Sequence, residues 1–316
     1  MKRMIALILA LTGIAAAISG CGGVKKKDNR LSIVTTIYPE YDWVNEIAGD
    51  TADITLLLDK GVDMHSYQPS VDDIMKISNS DVFIYVGGES DAWADDAIKE
   101  AVNKYIRPLC LMDVLGNKAK TEEALPGVEK KEETGEYDEH IWLSIKNAKL
   151  FCDAIAEALA NADTANASLY LENADKYISR LEALDKEYAD AVKAAEYKTL
   201  LFGDRFPFRY LVDDYGLEYY AAFDGCSAET EASFETVAFL ARKLDELELP
   251  AIIKIDNSDE KLARTIAENT KTKDQKILTL NSMQSTGSAD SSGYIEIMQQ
   301  NLDTLKQALN NGLNGG

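Results

Sequence analysis

Histidine is nearly absent from this sequence, with only His65 and His140 among 316 residues. Imidazole is the usual neutral nitrogen ligand for transition metals and the usual proton carrier near neutral pH, so metal or acid–base chemistry here must involve one or both of these positions. Cysteine is also scarce: beyond Cys21 there are Cys110, Cys152 and Cys226, an odd number with no CxxC or CxxH spacing, which argues against a structural zinc motif. Cys110 falls in the strand-like run Leu109–Met112 and Cys152 on the apolar face of a helical segment, so both read as small core hydrophobes. Cys226, in Asp224-Gly225-Cys226-Ser227, reads as a turn residue with partial exposure. Positive charge is in deficit too. With 33 Lys and Arg against 54 Asp and Glu, the formal charge is −21, which argues against nucleic acid as a partner and for a soluble surface that gathers cations non-specifically.

What is present begins at the N-terminus. Lys2 and Arg3 precede an apolar run from Met4 to Ile18, broken only by Thr12 and Gly13, and Ile18-Ser19-Gly20-Cys21 follows. That is the form of a signal peptide, residues 1–20, too short for a permanent membrane span. Its small-small-Cys ending matches a bacterial lipoprotein signal in which cleavage leaves Cys21 lipidated. Residues 21–30, with three lysines in succession, then form a polar tether beside anionic headgroups. The expected location is the extracytoplasmic face of the cell membrane, and the remaining chain of about 290 residues is long enough for two lobes with their own cores.

Strand and helix patterns alternate along that remainder. Residues 31–36, 54–58, 82–86 and 109–114 read as strands; helices open at Ile37, after the Ser70 cap and over 92–105. His65 lies in a turn-rich segment after the second strand, and in parallel sheets the loops after strand C-termini make the ligand site. Residues 116–139 hold four lysines and eight carboxylates and read as a solvated loop. A helix over 146–160 follows, then a helical pattern over 166–195 without Gly or Pro, long enough to act as a rigid strut between two lobes. Strands at 199–202, 219–223, 251–255 and 277–280 alternate with helices to residue 309. The expected fold is therefore α/β: two lobes, each a roughly four-stranded parallel sheet flanked by helices, covering 31–163 and 198–316, joined by one long helix over 164–197.

Several ordered stretches together resemble one family. Thr35-Thr36-Ile37-Tyr38-Pro39, His65-Ser66-Tyr67-Gln68-Pro69-Ser70, Asp81 to Glu89 with Trp93, and Glu139-His140-Ile141-Trp142-Leu143-Ser144 are similar to motifs of the solute-binding lipoproteins of zinc and manganese ABC transporters, the ZnuA-like or cluster A-I family. The resemblance runs over nearly the whole mature chain. It implies that His65 and His140 are the first two metal ligands. The family's third ligand is usually a histidine after the first strand of the C-terminal lobe; here Phe202 to Phe208 contains none, and ungapped counting places Arg205 there. Arginine has no lone pair to give a cation, so the neighbouring Asp204 becomes the third candidate. Asp256 fills the position of the family's later carboxylate.

The resemblance further implies a Zn²⁺ or Mn²⁺ cargo, an ABC permease as partner, a monomer, and a binding role rather than catalysis. Two imidazoles and two carboxylates would leave a divalent ion neutral in a cleft, with nitrogen favouring zinc and oxygen favouring manganese. The plainer roles for the carboxylates are an ion pair of Asp204 with Arg205 or Arg209 and capping by Asp256 of the helix near Glu260. Glu89, Glu139 and Glu231 are candidates for contacts just outside the ligands. A surface adhesin is the alternative class. A metallohydrolase is a third, but no HExxH or comparable signature is present.

Overall fold

The computed structural model describes residues 30–59, 61–122, 135–226, 231–290 and 292–311. The expected signal peptide, Cys21, the tether up to residue 29 and the middle of the acidic stretch lie outside the described residues. From Leu31 onward the chain forms one compact unit.

Short runs of apolar residues build two separate sheets. β1 (Leu31–Thr35), β2 (Ala52–Leu56), β3 (Val82–Tyr85) and β4 (Arg107–Cys110) lie in the order β2-β1-β3-β4, every pair parallel. All four residues of β3 are buried, as a parallel strand covered by helices on both faces requires. The crossovers carry α1 (Tyr38–Ala48), α2 (Val71–Asn79), where Ser70 accepts the Asp73 N–H and Asp73 reaches back to the Ser70 N–H, and the short α3 (Ala94–Lys99). α4 (Leu111–Leu115) follows β4 directly, and α5 (Ile145–Ala162) and α6 (Ala167–Ala194) lead to the second half.

There, β5 (Thr199–Phe206), β6 (Glu218–Asp224), β7 (Ala251–Ile255) and β8 (Lys276–Leu280) form a second parallel sheet in the order β6-β5-β7-β8. Its helices are α7 (Arg209–Tyr215), α8 (Phe234–Leu247), α9 (Lys261–Glu268) and α10 (Tyr294–Ala308). Both sheets repeat one order, and the fold class agrees with the alternation read from the sequence.

α6 has 28 residues, about 42 Å at 1.5 Å each. Its buried stripe of Tyr170, Ala174, Tyr177, Leu181, Leu184, Tyr188 and Val192 follows the helical period and packs along α5, α1 and α10. One continuous core results. Trp43 of α1 meets Phe151 of α5 and Tyr294 of α10, with ring centroids 5.9 and 5.1 Å away, and the same cluster reaches Phe202 in β5. The Tyr294 hydroxyl donates to the Trp142 carbonyl at 2.7 Å, and Tyr188 donates to that of Met298 at 2.6 Å. Opening the two sheets widely would break this shared core, so only modest relative motion is open to them.

Three elements differ from the sequence reading. The expected helix over 92–105 ends at Lys99, because the chain turns back to bond the end of α2: Val102 N donates to Ser78 Oγ and Asn103 Nδ2 to the Ser80 carbonyl. The strand expected over 109–114 stops at Cys110. Leu111 and Leu115 are both buried at helical spacing, which the short apolar run had disguised as strand. β5 runs on through Gly203-Asp204-Arg205-Phe206, where a loop was expected. A shift of register against β6 between Phe202 and Arg205 takes up the irregularity.

Candidate metal centre

His65 sits in a one-turn helix, Met64–Ser66, after β2. The turn starts because Asp63 Oδ1 accepts the His65 N–H at 3.0 Å, and buried Met64 anchors it to the core. Ring atom Nδ1 lies 3.0 Å from Ser90 Oγ and 3.8 Å from Glu139 Oε2. That carboxylate favours the proton on Nδ1, leaving the Nε2 lone pair free. Burial, with nearby His140 next, pushes the pKa of His65 down to about 4, so the ring is neutral at physiological pH.

His140 is fully buried, immediately before the turn Ile141–Leu143. Asp138 Oδ1 accepts both its backbone N–H, at 2.8 Å, and its Nδ1–H, at 2.9 Å. A carboxylate on the outer nitrogen is the arrangement that fixes the tautomer of a metal-binding histidine and raises its basicity. The second half holds this segment in place. Tyr210 donates to the Asp138 carbonyl at 3.0 Å, and Trp142 Nε1 donates to the Ser282 carbonyl at 2.9 Å.

The two free nitrogens converge: His65 Nε2 and His140 Nε2 are 3.3 Å apart. Two nitrogens bound tetrahedrally to one zinc ion at its usual bond length are separated by about 3.3 Å. The Gln284 amide caps the pair, its Nε2 3.2 Å from His65 Nε2 and 2.7 Å from His140 Nε2. Cys226 approaches from the end of β6. Among the described residues, His65, His140 and Cys226 form the one group whose ligand atoms all lie within 4.8 Å of one another. Burial, then Glu122 and Asp138, pushes the Cys226 thiol pKa well up.

Asp204 and Asp256 are outside that group. Asp204 is buried in β5, with Oδ1 accepting the Arg205 N–H at 2.8 Å and Oδ2 accepting the Ile255 N–H of β7 at 3.1 Å. Asp256 Oδ1 accepts from Ser282 N at 2.6 Å and Ser282 Oγ at 2.8 Å, and its Oδ2 accepts from Ser285 Oγ at 3.1 Å. Neither of the plainer expectations describes them: the Arg205 guanidinium pairs with Asp63 at 3.2 Å, Arg209 with Asp213 at 2.9 Å, and Asp259, not Asp256, bonds the first N–H of α9. Both aspartates, with Glu231, Arg205, Lys261 and Gln284, line a cleft of about 1140 Å³ beside the histidines.

Of the outer carboxylates, Glu139 is the one in contact. Its Oε1 accepts the Ser90 N–H at 2.9 Å while Oε2 is buried without a hydrogen bond. Gly88, at φ +85°, lets the chain pass over it, since a Cβ there would overlap Glu139. Glu89 is exposed. Sequence reasoning missed Gln284 and Cys226. Cys226 carried a usable signal, because the turn Asp224-Gly225-Cys226 follows a strand of a parallel sheet, the same placement that drew attention to His65.

Two helix-flanked parallel sheets on a shared core, with paired histidines facing loops of the second half, place the chain in the structural class of the two-lobed solute-binding proteins. Residues 33–308 match the family of the zinc-uptake complex component A, periplasmic (ZnuA), and the chain belongs to that family. It is 30% identical over 317 residues to the zinc-binding lipoprotein AdcA of Streptococcus pneumoniae serotype 4, covering 97% of this chain and 61% of that one. The chain thus spans about three fifths of the pneumococcal relatives it matches. It is also 30% identical over 315 residues to the high-affinity zinc uptake system protein ZnuA of Bacillus subtilis strain 168, covering 97% and 96% of the two chains. Among solved structures, the laminin-binding protein Lmb of Streptococcus agalactiae, described as a bifunctional protein with adhesin and metal-transporting activity, superposes with a TM-score of 0.73 at 26% identity, over 88% of this chain and 99% of that one.

Proposed function

We propose that this chain captures Zn²⁺ outside the cytoplasm, between its two halves, and delivers it to an ABC permease, acting as a binding protein and not an enzyme. The observation that carries the proposal is the 3.3 Å approach of two Nε2 atoms whose outer nitrogens are each engaged elsewhere. A pair of imidazoles favours zinc over manganese, because nitrogen is a better ligand for zinc than for the harder manganese ion. His65 and His140 are the first two ligands in this reading. Cleavage before Cys21 and lipidation there would hold the monomeric protein beside its permease, on the tether of residues 21–30, and the division at 164–197 into two lobes joined by α6 belongs to the same proposal. Adhesion is described for the streptococcal neighbour; the site here supplies an argument for metal capture alone.

The test is a calorimetric titration of Zn²⁺ and Mn²⁺ into metal-stripped residues 22–316, which contain the compact unit from Leu31, beside His65→Ala and His140→Ala. Tight one-to-one zinc binding that both variants abolish is expected, with manganese weaker. Equal zinc binding by all three proteins would overturn the proposal.

A further inference from the structure

We propose that Cys226 is the metal ligand contributed by the second half, so that the site is a His65–His140–Cys226 thiolate centre closed by the Gln284 amide oxygen and selective for zinc. This rests on the reading of the two histidines as ligands. It deepens that reading by naming the donor that faces them.

Three features support it. Sγ of Cys226 and the ligand atoms of both histidines already lie within 4.8 Å of one another. Tetrahedral zinc with one sulfur and one nitrogen at their usual bond lengths separates them by about 3.5 Å, so the thiol has on the order of 1 Å to close. Next, the turn is built to lie against the imidazole. A Cβ on Gly225 would sit 2.9 Å from His140 Cε1 and 2.9 Å from the Phe206 carbonyl oxygen, closer than real side chains come. Finally, the carboxylates of the second half that the family resemblance points to are already engaged: all four oxygens of Asp204 and Asp256 accept hydrogen bonds from backbone or serine groups.

The binding step balances without an oxidant. Zn²⁺ forms a bond to Sγ, the S–H bond breaks, and the proton passes to water. One thiolate on a divalent ion leaves a single positive charge, which Asp138 on His140 and Glu139 beside His65 are placed to balance. Gln284 Nε2 donates to the imidazoles. Reversing the amide would turn its oxygen toward the ion. A thiolate in place of a carboxylate makes the centre softer and moves preference further from Mn²⁺ toward Zn²⁺.

Cobalt tests this directly, because a thiolate bound to Co²⁺ gives an intense near-ultraviolet charge-transfer band that nitrogen and oxygen ligands lack. Co²⁺ added to metal-stripped residues 22–316 should give that band with the visible bands of a tetrahedral ion, and Cys226→Ser should lose it while its circular dichroism is unchanged. The same variant should lower zinc affinity by more than about 100-fold, beyond the usual cost of losing an outer partner of a ligand. Wild-type protein that binds cobalt without the band would overturn the assignment, whatever the variant does. Zinc affinity of Cys226→Ser within twofold of wild type would also overturn it. If His65→Ala and His140→Ala still abolish binding in that case, only the cysteine assignment falls; if they too bind normally, the capture reading falls with it.

Discussion

Asp138 holds His140 twice through a single oxygen, accepting the backbone N–H at 2.8 Å and the ring Nδ1–H at 2.9 Å. Position and tautomer of the imidazole are therefore set together before any ion arrives. Asp138→Ala should lower zinc affinity 10- to 100-fold, the usual effect of removing a histidine's outer partner. It should also cost about 1–3 kcal/mol of stability, because two buried donors lose their acceptor. Asp138→Asn keeps an acceptor oxygen and should restore most of the stability but less of the affinity, since the neutral amide does not raise imidazole basicity. Competition titration and thermal melts on the three proteins separate the two effects. Wild-type affinity in Asp138→Ala would show that the pairing does nothing for metal.

Asp204 gives a contrasting case. Its two oxygens tie the irregular point of β5 to its own strand and to Ile255 of β7. Asp204→Ala leaves a buried Ile255 N–H unpaired and should destabilise the fold by about 1–3 kcal/mol. Zinc affinity measured well below the melting temperature should change less than tenfold. The opposite outcome, near-normal stability with affinity lost, would return Asp204 to the ligand set.

These two aspartates show how far the sequence could be read. His65 and His140 were legible because they are rare and each sits in a distinctive stretch. The two parallel sheets were legible because strand and helix periods alternate cleanly, and the α6 stripe because it runs for 28 residues. Asp204 was not, since Gly-Asp-Arg imitates a turn and only the partner strand shows that its carboxylate completes a ladder. Leu111–Leu115 was too short for its period to be told from a strand. Gln284 depends on how distant chain segments meet, since it lies 144 residues from His140, and local pattern carries no such information.

Arg205 and Asp63 join β5 to the His65 turn across the mouth of the site, at 3.2 Å and with 23% and 36% of their side chains exposed. Such a pair contributes under about 1 kcal/mol to stability. Its effect should appear in kinetics, because Asp63 uses its other oxygen to hold the His65 backbone. Arg205→Ala should speed zinc transfer to an excess of chelator severalfold at low salt. The difference should shrink at 1 M salt, where the Debye length is about 3 Å. Release by Arg205→Ala that matches wild type at both salt concentrations would show that the Arg205–Asp63 pair does not control it.

Glu40 provides a pH signature away from the metal ligands. It is fully buried at the turn from β1 into α1, where Oε2 accepts from Thr36 N at 2.8 Å and Ile37 N at 3.3 Å while Oε1 has no partner. Burial, then the charge of Asp91, pushes its pKa up to about 8, and burial pushes Asp91 up to about 7. A carboxyl whose pKa rises on folding binds its proton more tightly in the folded state. Its stabilising contribution is complete below the unfolded value and is lost as pH rises through the folded one. For Glu40 that window runs from the ordinary glutamate range to about pH 8. Glu40→Gln carries no charge at any pH and keeps an oxygen for the Thr36 and Ile37 N–H groups. Its stability relative to wild type should therefore rise between pH 5 and pH 9, by on the order of a few kcal/mol. Asp91→Asn should shift in the same direction with most of the change complete by about pH 7, and the double variant should fall short of the sum because the two groups titrate together. Urea melts at pH 5, 7 and 9 measure all four proteins, and a difference between Glu40→Gln and wild type that does not change with pH would mean that Glu40 stays ionised in the core.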